Sequence, residues 1–151
     1  MPTWVTTYGT EQTDGQPGRV DLDRLNVLIV GITRTGGYYL EGQHDDYGQL
    51  LYLSNRSAPF ATLAGAEAAA AALIDTDVWV RYYGSYGSAG VGWIRPAAIL
   101  AVETLPVPGG HCLVGRADVH GYLWDLSDRA APFPTVVDAV TAMDALIGGL
   151  P

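Results

Sequence analysis

The chain has no lysine and only one cysteine, and no uninterrupted apolar stretch approaches the length of about eighteen residues that a membrane-spanning helix needs. A lone thiol, Cys112, rules out an internal disulfide, and with it the usual brace of small secreted domains. No basic stretch leads into an apolar one after Met1, so no secretory signal is expected, and a cytoplasmic location is. Eight arginines face sixteen acids, for a net charge of −8. The deficit is −5 over residues 1–75 and −3 over 76–151, so neither half carries the basic footprint that a phosphate backbone requires. Direct nucleic-acid binding and membrane insertion are therefore not expected. HExxH, paired CxxC, GxSxG, P-loop and GxGxxG patterns are also missing.

What the chain does have is a second copy of itself. Gly36 to Asp75 realigns on Gly109 to Gly148 at a shift of 73, with nineteen identities in forty positions. Unrelated sequence of this composition would give about three. The identities include Leu40/Leu113, Gly42/Gly115, Asp45/Asp118, Ser54/Ser127, Arg56/Arg129, Pro59-Phe60/Pro132-Phe133 and Thr62/Thr135. Upstream, Val27/Ile99 and Val30/Val102 match by type at a shift of 72, and Trp4-Val5 echoes Trp79-Val80 at 75. The expected fold is α+β: a tandem duplication of a unit of about 70 residues, an antiparallel sheet closed by a C-terminal helix, with pseudo-two-fold symmetry. Residues 1–75 form the first repeat and 76–151 the second. One such unit is marginal for a core of its own, so a single joint domain with a common interior is expected.

Within each repeat, residues 3–8 and 78–83 are β-branched and aromatic and predict a first strand. Leu25 to Ile32 and Ala98 to Leu105 are short aliphatic runs that predict buried strands. Tyr38 to Gln43 and His111 to Ala117 then fold back on Gln49 to Leu53 and Tyr122 to Leu126 across glycine-containing turns. Thr62 and Thr135 stand where helix caps belong, and they predict helices over 63–74 and 136–147. Ala66, Ala69 and Leu73, with Ala139, Ala142 and Leu146, share one helical face.

Polar residues kept in both copies are the first site candidates. Arg56 and Arg129 on equivalent loops would suit an anion gripped by two guanidinium groups, while Asp45, Asp118, Ser54 and Ser127 equally suit a turn formula. His44 and His120 in the hairpin turns, beside Asp45, Asp46 and Asp118, are weak candidates for metal ligation or acid and base work, and no catalytic residue or cofactor is expected. Cys112, in the place of Tyr39, is expected to be a buried, inert thiol. The segment from Arg81 to Trp93 gains Tyr82, Tyr83, Tyr86 and Trp93 among glycines and serines. Such a composition serves adaptable binding loops, and it serves equally a hairpin whose rings pack on the sheet.

Two function classes follow. The first is a small acidic binding protein without enzymatic activity, of the inhibitor, immunity or phage accessory kind, occluding a protein partner of basic character. The second is a small-ligand binder or sponge holding an anionic metabolite or nucleotide signal between the paired arginines, with aromatics stacked on its base. Sheet-rich duplicated chains also pair edge to edge, so a homodimer is compatible with either class.

Overall fold

In the computed structural model, which describes residues 3–10, 13–44, 50–85, 90–117 and 123–149, each half turns its longest aliphatic run into one arm of a hairpin. The architecture is mixed α and β with antiparallel strand pairing, and the chain divides into two compact units, Met1–Thr76 and Asp77–Pro151. No helix among the described residues is long and apolar enough to cross a membrane.

In the first unit, β1 (Trp4–Thr7) pairs antiparallel with β2 (Gly18–Asp21). A one-turn 3₁₀ helix over Leu22–Arg24 follows, opened by the Asp21 carboxylate, which accepts the Asp23 amide at 3.1 Å. β3 (Leu25–Ile32) then folds back on β4 (Tyr38–His44), which pairs on its other side with β5 (Leu50–Tyr52). Leu25, Leu28, Val30 and Leu40 share one face of the β3–β4 pair and are buried, and Val27 is buried on the other face. α1 (Leu63–Leu73) packs on β3 and β4 through Ala66 and Ala70, whose methyl groups let the helix axis lie close to the sheet. Gly42 belongs to the same close fit: a Cβ there would stand 2.7 Å from a Leu25 methyl and 3.1 Å from one of Leu53.

The second unit runs β6 (Val80–Tyr82), β7 (Gly84–Ser85), β8 (Gly92–Ile94), a 3₁₀ turn over Pro96–Ala98, β9 (Ile99–Val107), β10 (Gly110–Ala117), β11 (Leu123–Asp125) and α2 (Val136–Gly148). Strand order in its main sheet is β7-β11-β10-β9, β6 pairs with β8, and α2 packs on β9 and β10.

Several hydrogen bonds recur at aligned positions of the two units. The Leu40 amide donates to Ser54 Oγ at 2.8 Å and the Leu113 amide to Ser127 Oγ at 2.8 Å. Leu53 and Leu126 donate to the carbonyls of Leu40 and Leu113, both at 2.9 Å. Phe60 exchanges backbone bonds of 2.8 and 2.9 Å with Tyr38, and Phe133 does so with His111. Asn55 and Asp128 each accept, at 2.9 Å, the amide two residues on. Thr62 caps α1 through the Gly65 amide at 3.0 Å, and Thr135 caps α2 through that of Asp138 at 3.1 Å.

Three expectations need adjustment. α1 stops at Leu73 because Ile74 turns extended (φ −120°, ψ 162°) and is buried, whereas α2 continues to Gly148. β3 and β9 correspond at a shift of 74 rather than 72: Val30 faces Leu40, Thr104 faces Leu113, and the two leucines are 73 apart. A slip of two residues returns every strand side chain to the same face, so apolar pattern alone does not separate these alignments. Finally, β2 is a short strand that the sequence does not announce, because GRVD carries little alternation, and β8 is the second arm of the hairpin that is one of the two expectations for Arg81 to Trp93.

Candidate functional site

Arg56 follows β5 in a turn begun by Asn55, and its guanidinium lies over two tyrosine rings of its own unit. The distances are 5.0 Å to the Tyr39 centroid and 4.7 Å to that of Tyr52. The two rings meet edge to face at 5.8 Å, and Nη1 donates to the Tyr52 hydroxyl at 2.7 Å. Asp14 stands 3.7 Å from the same nitrogen. Nε is buried with no hydrogen-bond partner among the described residues. Beneath the cation, burial first and a hydrogen bond to the buried Glu41 second push the Tyr39 phenol well above its usual pKa. Tyr39 therefore stays a neutral hydroxyl and a π-face for the cation.

Arg129, in the same turn of the second unit, does something else. Asp125 occupies the place of Tyr52, and the two side chains form a forked pair, Nε to Oδ2 at 2.8 Å and Nη2 to Oδ1 at 3.0 Å. The hydrogen bond to Asp125 is the main cause that raises the Arg129 pKa. Cys112 takes the place of Tyr39 and is fully buried, and burial raises its thiol pKa, which keeps it protonated and unreactive. Each arginine thus has an internal anchor, cation–π in one unit and ionic in the other.

The aromatic segment divides by strand geometry. Tyr82 and Trp93 are buried at 1% and 5% exposure, and the Tyr82 ring packs 4.8 Å from Trp124. Arg81 lies over Trp93 at 5.1 Å and Tyr83 at 5.4 Å, and Arg95 over Trp79 at 4.3 Å, so cations and rings alternate along the β6–β8 pair. Of these rings Tyr83 is the most exposed, at 37%. Tyr86, Asp45, Asp118, His120 and the side chain of His44 lie outside the described residues. Among the described residues no group of three or more His, Cys, Asp or Glu side chains could hold a metal ion.

Sequence reasoning missed one feature. α2 exposes Val136 (47%), Val137 (69%), Val140 (37%) and Ile147 (49%) while burying Ala139. At 3.6 residues per turn these four and Asp144 fall within an arc of about 100°. The aligned positions of α1 hold Leu63, Ala64, Glu67 and Ile74, of which Ile74 is buried. The available signal was the three β-branched valines at exposed helical positions, where Ala, Glu or Lys would serve helix formation better. Neither a family model, nor a curated protein, nor a solved structure matches the chain.

Proposed function

We propose that this chain is a small acidic binding protein without catalytic chemistry, of the inhibitor, immunity or viral accessory kind, that works by covering a protein partner. The observation that supports it is the exposed apolar stripe on α2, in a chain whose net charge is −8. Contiguous exposed apolar surface is costly in water and marks surfaces that meet other macromolecules. In this reading the two units descend from one ancestral unit of about 70 residues and keep a pseudo-two-fold relation. A cytoplasmic setting suits a single buried thiol.

A second reading, an anionic metabolite or nucleotide signal held by the arginines, draws support from the Arg56 Nε, which has no hydrogen-bond partner among the described residues. Native mass spectrometry of freshly purified protein separates the two. The binding-protein reading expects the bare mass of a monomer or homodimer. A small co-purifying mass that disappears in the Arg56→Ala/Arg129→Ala variant selects the ligand reading instead.

A further inference from the structure

We infer that the exposed face of α2 is the docking site for a basic amphipathic helix of another protein, with apolar anchors set between Lys or Arg side chains. The inference rests on the binding-protein reading above and adds the place and the chemistry of the contact. The anchor surface is the stripe Val136, Val140 and Ile147, which adjoins the packed side of the helix, widened by Val137. This apolar arc is broader than contact with β9 and β10 uses, since the same helix already buries Ala139 against its sheet.

Charge selects the occupant. The helix VVDAVTAMDALIG has no basic residue, its last turn included, so nothing on it opposes the negative end of its dipole, and Asp138 is engaged with the Thr135 cap away from the stripe. Asp144 is exposed and falls inside the apolar arc between Val140 and Val137. A partner helix bearing Lys or Arg beside its apolar anchors would meet that carboxylate and the helix C-terminus with opposite charge. A second copy of the chain would instead bring α2 against α2, with no basic residue on either helix to meet the Asp144 carboxylates. The first unit supplies the contrast: of the aligned positions Leu63, Ala64, Glu67 and Ile74, Leu63 alone is large, apolar and exposed, so α1 offers no comparable apolar stripe.

The test uses a synthetic helical peptide of leucine and lysine, its twin with glutamate at every lysine, and isothermal titration against the full chain. The lysine peptide is expected to bind, and Val137→Lys/Val140→Lys to weaken it by about tenfold or more. That variant is expected to melt no lower than the parent, because lysine suits an exposed helix better than valine. Ala64→Lys/Ala68→Lys on α1 adds the same charge and is expected to change affinity by less than about threefold. The inference is overturned if the lysine peptide fails to bind, if its glutamate twin binds as tightly, or if the α1 variant loses as much as the α2 variant. It is overturned also if light scattering shows a dimer that the α2 variant breaks, since the face then belongs to a second copy. Failure here with a bare mass in native mass spectrometry removes the site but leaves the binding-protein reading standing, whereas a co-purifying ligand removes that reading first.

Discussion

The turn after β5 and the turn after β11 are built by the same backbone bonds, yet one clasps its arginine between tyrosines and the other forks it onto an aspartate. Ser54 and Ser127 hold the adjacent strand amides at the same 2.8 Å. What differs is the side chain four residues before each arginine, Tyr52 in one unit and Asp125 in the other. The comparison teaches that the retained arginine is a structural pin whose anchor is exchangeable. A cation over one buried and one half-buried ring and a forked ion pair are alternative ways to hold one guanidinium against a sheet end. It also explains how Tyr39 becomes Cys112 without loss of the turn: with the charge held by Asp125, no aromatic face is needed at that position.

The sharpest way to break the correspondence is at its paired glycines. A Cβ on Gly110 would run into the Phe133 carbonyl oxygen, a backbone atom fixed by the bridge to His111, whereas one on Gly37 meets the ring of Pro59 at 2.7 Å. Gly110→Ala is therefore expected to cost about 2–4 kcal/mol and Gly37→Ala less, measured by urea unfolding. Equal losses would show that the two bridges are closer in geometry than the contacts imply.

At the serines the units should behave alike. Ser54→Ala and Ser127→Ala each leave a strand amide without its acceptor, and each is expected to cost about 1–2 kcal/mol. A difference above about 1 kcal/mol would mean that the shared bond has unequal surroundings. Because the chain divides into two units, unfolding should be followed with more than one probe so that two transitions are not taken for one.

The arginines should differ, by a smaller amount. Arg56→Ala removes two ring contacts, a charge-assisted bond and the 3.7 Å pair with Asp14 from a side chain 32% exposed, with an expected cost of about 2 kcal/mol of which salt removes only the smaller, ionic part. Arg129→Ala removes an ion pair whose arginine is 51% exposed, with an expected cost below about 1 kcal/mol that shrinks as salt is added. Identical salt dependence would dissolve the distinction between the two anchors.

Much of this was legible before any coordinates. Thr62 and Thr135 mark the helix starts because a cap needs a hydroxyl one residue before helical backbone begins, which is a local requirement. The antiparallel pairing of β4 with β5 follows from two strand-forming runs separated by a few residues that include a glycine, again a local signal, whereas the partner of β3 was not read from the sequence. Less legible were the anchors of the arginines. Tyr39 and Tyr52 are thirteen positions apart in the chain and meet because Glu41 pairs with Tyr52 across β4 and β5, a register that the sequence does not print. Tyr82 and Trp93 suited a binding loop and a sheet-packed hairpin equally in the sequence; in the fold they project from opposite faces of the β6–β8 pair and both are buried, which depends on what covers each face rather than on their neighbours in the chain.

By itself, then, the sequence determined the internal repetition, the acidic balance without lysine, the capped helices and the hairpins, since each rests on residue identity or short-range spacing. Tertiary structure alone decided which ring lies under Arg56, that Asp125 takes Arg129, and that the valines of α2 face outward while Ala139 is buried. These are outcomes of strand register and of how far a helix rolls on its sheet, and both are fixed by packing between residues distant in the chain.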